Sequence, residues 1–125
     1  MKSNRPTNLP LSQVISVNRS PIAIASILHR ISGIVLFLLI PVMLWLLQNS
    51  LASPESFETV FDNVFIRFLA WIFVAAIAYH FVMGVKHLFA DNGQNEELQS
   101  ARMASVVSLV IAAILIVASF VWVMF

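Results

Sequence analysis

The stretch MASVVSLVIAAILIVASFVWVMF, residues 103–125, runs for 23 consecutive positions without a charged side chain. A helix crosses the ~30 Å hydrocarbon core of a bilayer in about 20 apolar residues, so this stretch is long enough to span one. Working back toward the N-terminus, residues 65–89 form a second candidate, interrupted by His80 and closing near Lys86 and His87. A third candidate, residues 21–47, opens on Ser20-Pro21, where serine caps and proline suits the first helical turn, and carries no charge from Ile31 to Leu47. Pro41 is expected to kink it or loosen a turn, which membrane helices tolerate. The fold class that follows is all-α: an integral membrane three-helix bundle over residues 21–125, preceded by an N-terminal arm of residues 1–20.

Composition agrees with the spans. Of 125 residues, 60% are hydrophobic and 10% charged, with mean hydropathy +0.92; a soluble domain carries about 25% charged residues. The chain has no cysteine, which excludes disulfides, thiolate metal sites, iron–sulfur ligation and cysteine nucleophiles within it. Lys2, Arg5 and Arg19 sit among polar residues and prolines, without the short apolar core and small-residue cleavage site of a signal peptide. Residues 48–64, with Glu55, Glu58 and Asp62, and the polar residues 91–101 are read as connections. Lys2, Arg5, Arg19, Arg30, Lys86 and Arg102 fall on one side of a three-span topology and Arg67 on the other. Six against one places the N-terminus in the cytoplasm and the C-terminus on the periplasmic side. Lipid is the expected surroundings, and no nucleic-acid partner is expected.

Titratable side chains at membrane depth are costly and generally face a partner or a site. Ser26, Arg30 and Gly33 share a helical face at i, i+4 and i+7, with His29 on its flank; Arg30 lies roughly 13 Å into the helix. Its guanidinium either snorkels to the headgroups or lines a polar pocket, which the hydroxyl one turn away and the adjacent histidine favour. His80 lies about 9 Å below Lys86. Either it hydrogen-bonds a neighbouring helix or its imidazole ligates haem iron, with Gly84 leaving room for a flat macrocycle or a close helix; the residues alone leave both open. His87, about 10 Å further along the axis, is too far from His80 to share one iron and reads as an interfacial polar residue. Trp45, Trp71 and Trp122 read as an aromatic belt. Met43, Met83, Met103 and Met124 read as packing, and Ala112, Ala113, Ala118 and Ser119 as small residues admitting close helix contact. Asp91, Glu96 and Glu97 read as solvated or as contacts to a docked protein.

Three motifs together, Arg5-Pro6-x-Asn8-Leu9, Ser26-Ile27-Leu28-His29-Arg30-Ile31-Ser32-Gly33 and Tyr79-His80-x-x-x-Gly84-x-Lys86-His87-Leu88, resemble the cytochrome b membrane-anchor subunit of succinate dehydrogenase, respiratory complex II. The similarity covers nearly the whole chain, and the Ser-x-x-His-Arg-x-Ser-Gly signature is its specific part.

The resemblance implies that His80 is an axial ligand to the iron of haem b, shared with a second anchor subunit that supplies the opposite histidine. It implies that Ser26 and Arg30 line the ubiquinone site, and that His29 and Arg30 approach a haem propionate. FAD and iron–sulfur clusters would belong to a flavoprotein and an iron–sulfur subunit docked on the cytoplasmic face, with this chain non-catalytic alone. Lys86 departs from the family, which often has arginine there, and keeps the charge without the bidentate fork. A fumarate reductase anchor, or a haem-free transport or assembly subunit, stands as the alternative. The expected location is a bacterial inner membrane.

Overall fold

The computed structural model describes residues 4, 8, 10–17 and 19–125. Lys2, Arg5, and all of the first motif but Asn8, lie outside the described residues. The described residues form five helices: α1 (Leu11–Val17), α2 (Pro21–Ser50), α3 (Pro54–Asp62), α4 (Val64–Asp91) and α5 (Leu98–Met124). Three of them, α2, α4 and α5, are long and apolar enough to cross a membrane.

Two of the long helices begin or end where local chemistry dictates. Ser20 caps α2, its Oγ accepting the Ala23 N–H at 3.2 Å, and Pro21 takes the first turn. The helix stays continuous through Pro41 to Ser50. At about 1.5 Å per residue its 30 residues reach ~45 Å, half as long again as a ~30 Å hydrocarbon core. Asn63 starts α4 by accepting from the Phe65 and Ile66 N–H groups at 2.8 and 3.4 Å. Gly93 stops it: with φ at 81°, its N–H bonds the Ala90 carbonyl and the Gln94 N–H bonds that of Phe89, the paired pattern of a left-handed glycine cap.

The structure corrects the reading of residues 48–64 as a plain connection, because α3 occupies Pro54–Asp62. Ser53 accepts the Ser56 N–H at 3.0 Å, with Pro54 in the first turn. The backbone N–H at Glu55, then the Ser53 hydroxyl, hold the Glu55 carboxyl below its ordinary value, as expected for an acid in a helix's first turn. A shorter helix, α1, likewise lies within the N-terminal arm.

The long helices run antiparallel in sequence order, with α4 packed against both α2 and α5. Ala25, Tyr79, Met83 and Ala112 form the core, joined by Val82, Leu109 and Ile116. Ser105 is fully buried as well, its hydroxyl donating to the Ala101 carbonyl of its own helix. Of the small residues expected to admit close contact in the third span, Ala112 does so, whereas Ala113 and Ala118 are exposed.

Three side chains of α4 donate across to backbone carbonyls at successive depths. Tyr79 Oη bonds Ala25 O at 3.0 Å, Trp71 Nε1 bonds Ile116 O at 3.2 Å, and Arg67 Nη1 bonds Met124 O at 3.3 Å. In lipid such interhelical bonds replace part of the hydrophobic drive that apolar surroundings remove. Trp71 is therefore an interhelical tie, half-buried and edge-on to Phe120, and only Trp45 and Trp122 are exposed as an aromatic belt would be.

Candidate functional site

Where the start of α2 meets the second half of α4, three imidazoles come together. His29 stacks on His80 with ring centroids 4.1 Å apart and planes 15° from parallel, and meets His87 edge-on at 5.1 Å. His80 and His87 are two turns apart on α4, and the His29 ring of α2 spans the interval. His29 and His80 thus lie at one depth in the bundle.

Ser32 and Gly33 shape the other side of His80. Ser32 Oγ lies 2.6 Å from the His29 carbonyl and 3.0 Å from His80 Nδ1, and that carbonyl is itself 3.2 Å from Nδ1. A hydroxyl has one proton. At 2.6 Å it is committed to the His29 carbonyl, so Ser32 Oγ presents a lone pair to His80. With two acceptors in reach, Nδ1 must carry the proton and donate. The neutral ring then keeps its lone pair on Nε2. Nε2 makes no hydrogen bond among the described residues, and it is not sealed in, since the buried side-chain nitrogen or oxygen lacking a partner among them is Arg67 Nε. Gly33 is needed here for space: a Cβ on it would lie 3.2 Å from His80 Cε1.

Of the two uses expected for Gly84, a flat macrocycle or a close helix, the close helix is the one seen, and Gly33 likewise makes room where α2 meets α4. Gly33 faces His80. The room left by Gly84 is taken by the neighbouring helix, with a Cβ there 3.9 Å from His29 Nε2. Ser26 is half-buried and Arg30 exposed, whereas Ala25 and Ser32 are buried. Lys86 is half-buried on α4, beside His87. Among the described residues no three His, Cys, Asp or Glu side chains form a metal-binding group, so a metal bound through His80 would need ligands from outside this set.

Three features escaped the sequence reading. Ser32, quoted within the motif, was given no role, although its spacing of three from His29 permits the carbonyl bond that orients it. Tyr79 locks the helix pair through Ala25. Beside Ser32 an apolar cleft of about 400 Å³ opens between the three long helices, lined by Leu28, Ile31, Ala75, Ala76, Tyr79 and Leu109 among others.

Known proteins with similar sequences point one way. The model of the succinate dehydrogenase/fumarate reductase transmembrane subunit family matches residues 1–119. The succinate dehydrogenase cytochrome b556 subunit of Coxiella burnetii (strain RSA 493 / Nine Mile phase I) is 38% identical over 127 residues, covering 98% of this chain and 99% of its own. The subunit of the same description from Paracoccus denitrificans is 34% identical over 124 residues, covering 92% and 95%. Helices able to span a bilayer, the imidazole cluster between two of them and near full-length similarity agree: this is a multi-pass membrane protein, and the chain belongs to the succinate dehydrogenase/fumarate reductase transmembrane subunit family.

Proposed function

We propose that this chain is the haem- and quinone-binding membrane anchor of a succinate dehydrogenase in a bacterial inner membrane, with residues 21–125 as its membrane domain and the N-terminal arm in the cytoplasm. The observation that carries the reading is the setting of His80 Nδ1 between Ser32 Oγ and the His29 carbonyl. Nδ1 is held as a donor by Ser32 Oγ and the His29 carbonyl, which leaves Nε2 as the free lone pair that an axial haem ligand requires. The residues fit haem b: His80 would hold it through Nε2, with a second histidine supplied by another anchor subunit. When bound, haem b supplies a one-electron carrier whose potential depends on its axial ligands and surroundings.

This chain's own side chains do the rest. Ser32 and the His29 carbonyl orient the His80 ring through Nδ1. His29, flat against His80, and Arg30, one residue on, are the candidates to meet a propionate. Ser26 and Arg30, one helical turn apart on α2, would line a quinone site completed by partner subunits. Ser26 would donate to a quinone carbonyl, and Arg30 would set fixed positive charge beside the oxygens as the ring gains electrons. Arg19, Arg30, Lys86 and Arg102 lie toward one end of the long helices and Arg67 toward the other, which supports a cytoplasmic N-terminal side. There the iron–sulfur and flavoprotein subunits, bearing the clusters and FAD, would dock.

The family description covers both redox directions. The two relatives are named for succinate dehydrogenase, which favours succinate oxidation with ubiquinone over a fumarate reductase anchor. Family membership favours either over a transport or assembly subunit. The test is made on the purified complex. His80→Ala is expected to abolish the b-type α-band. Arg30→Leu is expected to lower quinone reduction about 100-fold, as for a lost charge-stabilising donor, with Ser26→Ala lowering it up to about tenfold. Succinate oxidation by an artificial dye should persist in all three. An unchanged spectrum removes His80 from the haem, and normal quinone reduction in both other variants removes the quinone assignment.

A further inference from the structure

The end of the bundle remote from the histidines holds a second polar feature in apolar surroundings. Arg67 and His80 are 13 residues apart on α4, about 20 Å along its axis. Around Arg67, Phe57 and Phe61 of α3, Ala70 and Val74 of α4 and Trp122 of α5 line a groove of about 400 Å³. Trp122 and Phe57 form an open rim, 78% and 54% exposed. One guanidinium nitrogen, Nη1, donates to the Met124 carbonyl. Another, Nε, is buried without a hydrogen-bond partner, and no carboxylate pairs with the group among the described residues.

A permanent cation in an apolar groove, with no counter-charge among the described residues, is half of an interaction. Leaving the charge unmatched is costly, and a carbonyl satisfies one proton without neutralising it. Depth identifies the other half. The 28 residues of α4 extend ~42 Å, so a centred helix overshoots a ~30 Å hydrocarbon core by about 6 Å at each end. Arg67 lies three residues, or about 4.5 Å, from the start of the helix. That places the guanidinium at the boundary where lipid phosphates sit, with the groove running from it along Ala70 and Val74 toward the bilayer centre.

We propose that this groove binds one anionic glycerophospholipid, its phosphate on the Arg67 guanidinium and an acyl chain along Ala70 and Val74 between Phe61 and Trp122. The planar fork suits phosphate oxygens, and the positive end of the α4 dipole adds to the field. Ala70 supplies the width. A larger side chain there or at Val74 would fill the channel without touching the charge.

The test uses the whole complex in nanodiscs made with phosphatidylglycerol or phosphatidylcholine of the same acyl chains, followed by native mass spectrometry of retained lipid. The wild-type complex is expected to keep one phosphatidylglycerol per copy of this chain in preference to phosphatidylcholine. Arg67→Gln should reduce that retention about fivefold, the effect of one basic side chain at an anionic lipid surface; Arg67→Lys should keep most of it. Val74→Phe, which preserves the cation, should reduce it too. Equal retention of the two lipids overturns the proposal, as does undiminished phosphatidylglycerol in Arg67→Gln or in Val74→Phe. A cross-link from this groove to a carboxylate of another subunit, in place of retained lipid, overturns it in favour of a protein partner.

Discussion

Ser32 has one hydroxyl proton, and giving it to the His29 carbonyl selects the tautomer of a histidine 48 positions later. Removing it does not release His80 altogether, because the His29 carbonyl remains 3.2 Å from Nδ1. Ser32→Ala is therefore expected to weaken haem retention about tenfold, the lower end for loss of an outer-shell partner. Gly33 acts by volume instead. His80 is held between Gly33 on one side and the His29 ring at 4.1 Å on another, so it has little slack to give a new side chain. Gly33→Val should displace the ring, cost about 1–3 kcal/mol in overpacking and reduce the haem-to-protein ratio more than Ser32→Ala does. Absorbance of the purified variants at equal protein measures the order, and a reversed order would show that the hydrogen bond, not the packing, positions the ring.

At the scale of helices, hydropathy located all three long elements, and the helices run on past the apolar stretches it marked. Residues 65–89 become Val64–Asp91 and 103–125 become Leu98–Met124, because backbone hydrogen bonding continues into polar turns that hydropathy scores as connection. The stops were written in local chemistry: Asn63 as the cap of α4, Gly93 as its terminator, and Ser53-Pro54 as the opening of α3, a helix too short and polar to register as a span. The pairing of faces was legible only in part. In a soluble helix the apolar stripe marks the packed side, but α2, α4 and α5 are apolar all round, so periodicity does not tell which side of α2 meets α4. Polar residues carried that information. His29 and His80 were both singled out from their residue types, while their contact depends on the crossing of two helices and so needed the structure. Trp71 failed for the same reason: a tryptophan near a span's end reads as belt, and only the neighbouring Ile116 carbonyl makes it a tie.

Across the whole molecule the histidine cluster and the far end of the bundle are held by different contacts. The cluster rests on α2 against α4, through Tyr79, Ser32 and the stacked rings. The far end rests on α4 against α5, through Trp71 to Ile116 and Arg67 to Met124. Nine residues, about 13 Å along α4, separate Trp71 from His80. The two ends should therefore respond independently, as sites beyond about 10 Å without shared partners generally do. Trp71→Phe removes one interhelical hydrogen bond and keeps an aromatic ring against Phe120, so its expected cost is about 0.6 kcal/mol. Trp71→Ala also empties the space between α4 and α5 and should cost about 3–5 kcal/mol. Thermal unfolding of the complex should follow that order, while the haem spectrum of the folded protein stays as in the wild type for both. A shifted or diminished α-band in folded Trp71→Phe would mean that the position of α5 is felt at His80, and that the bundle acts as one unit.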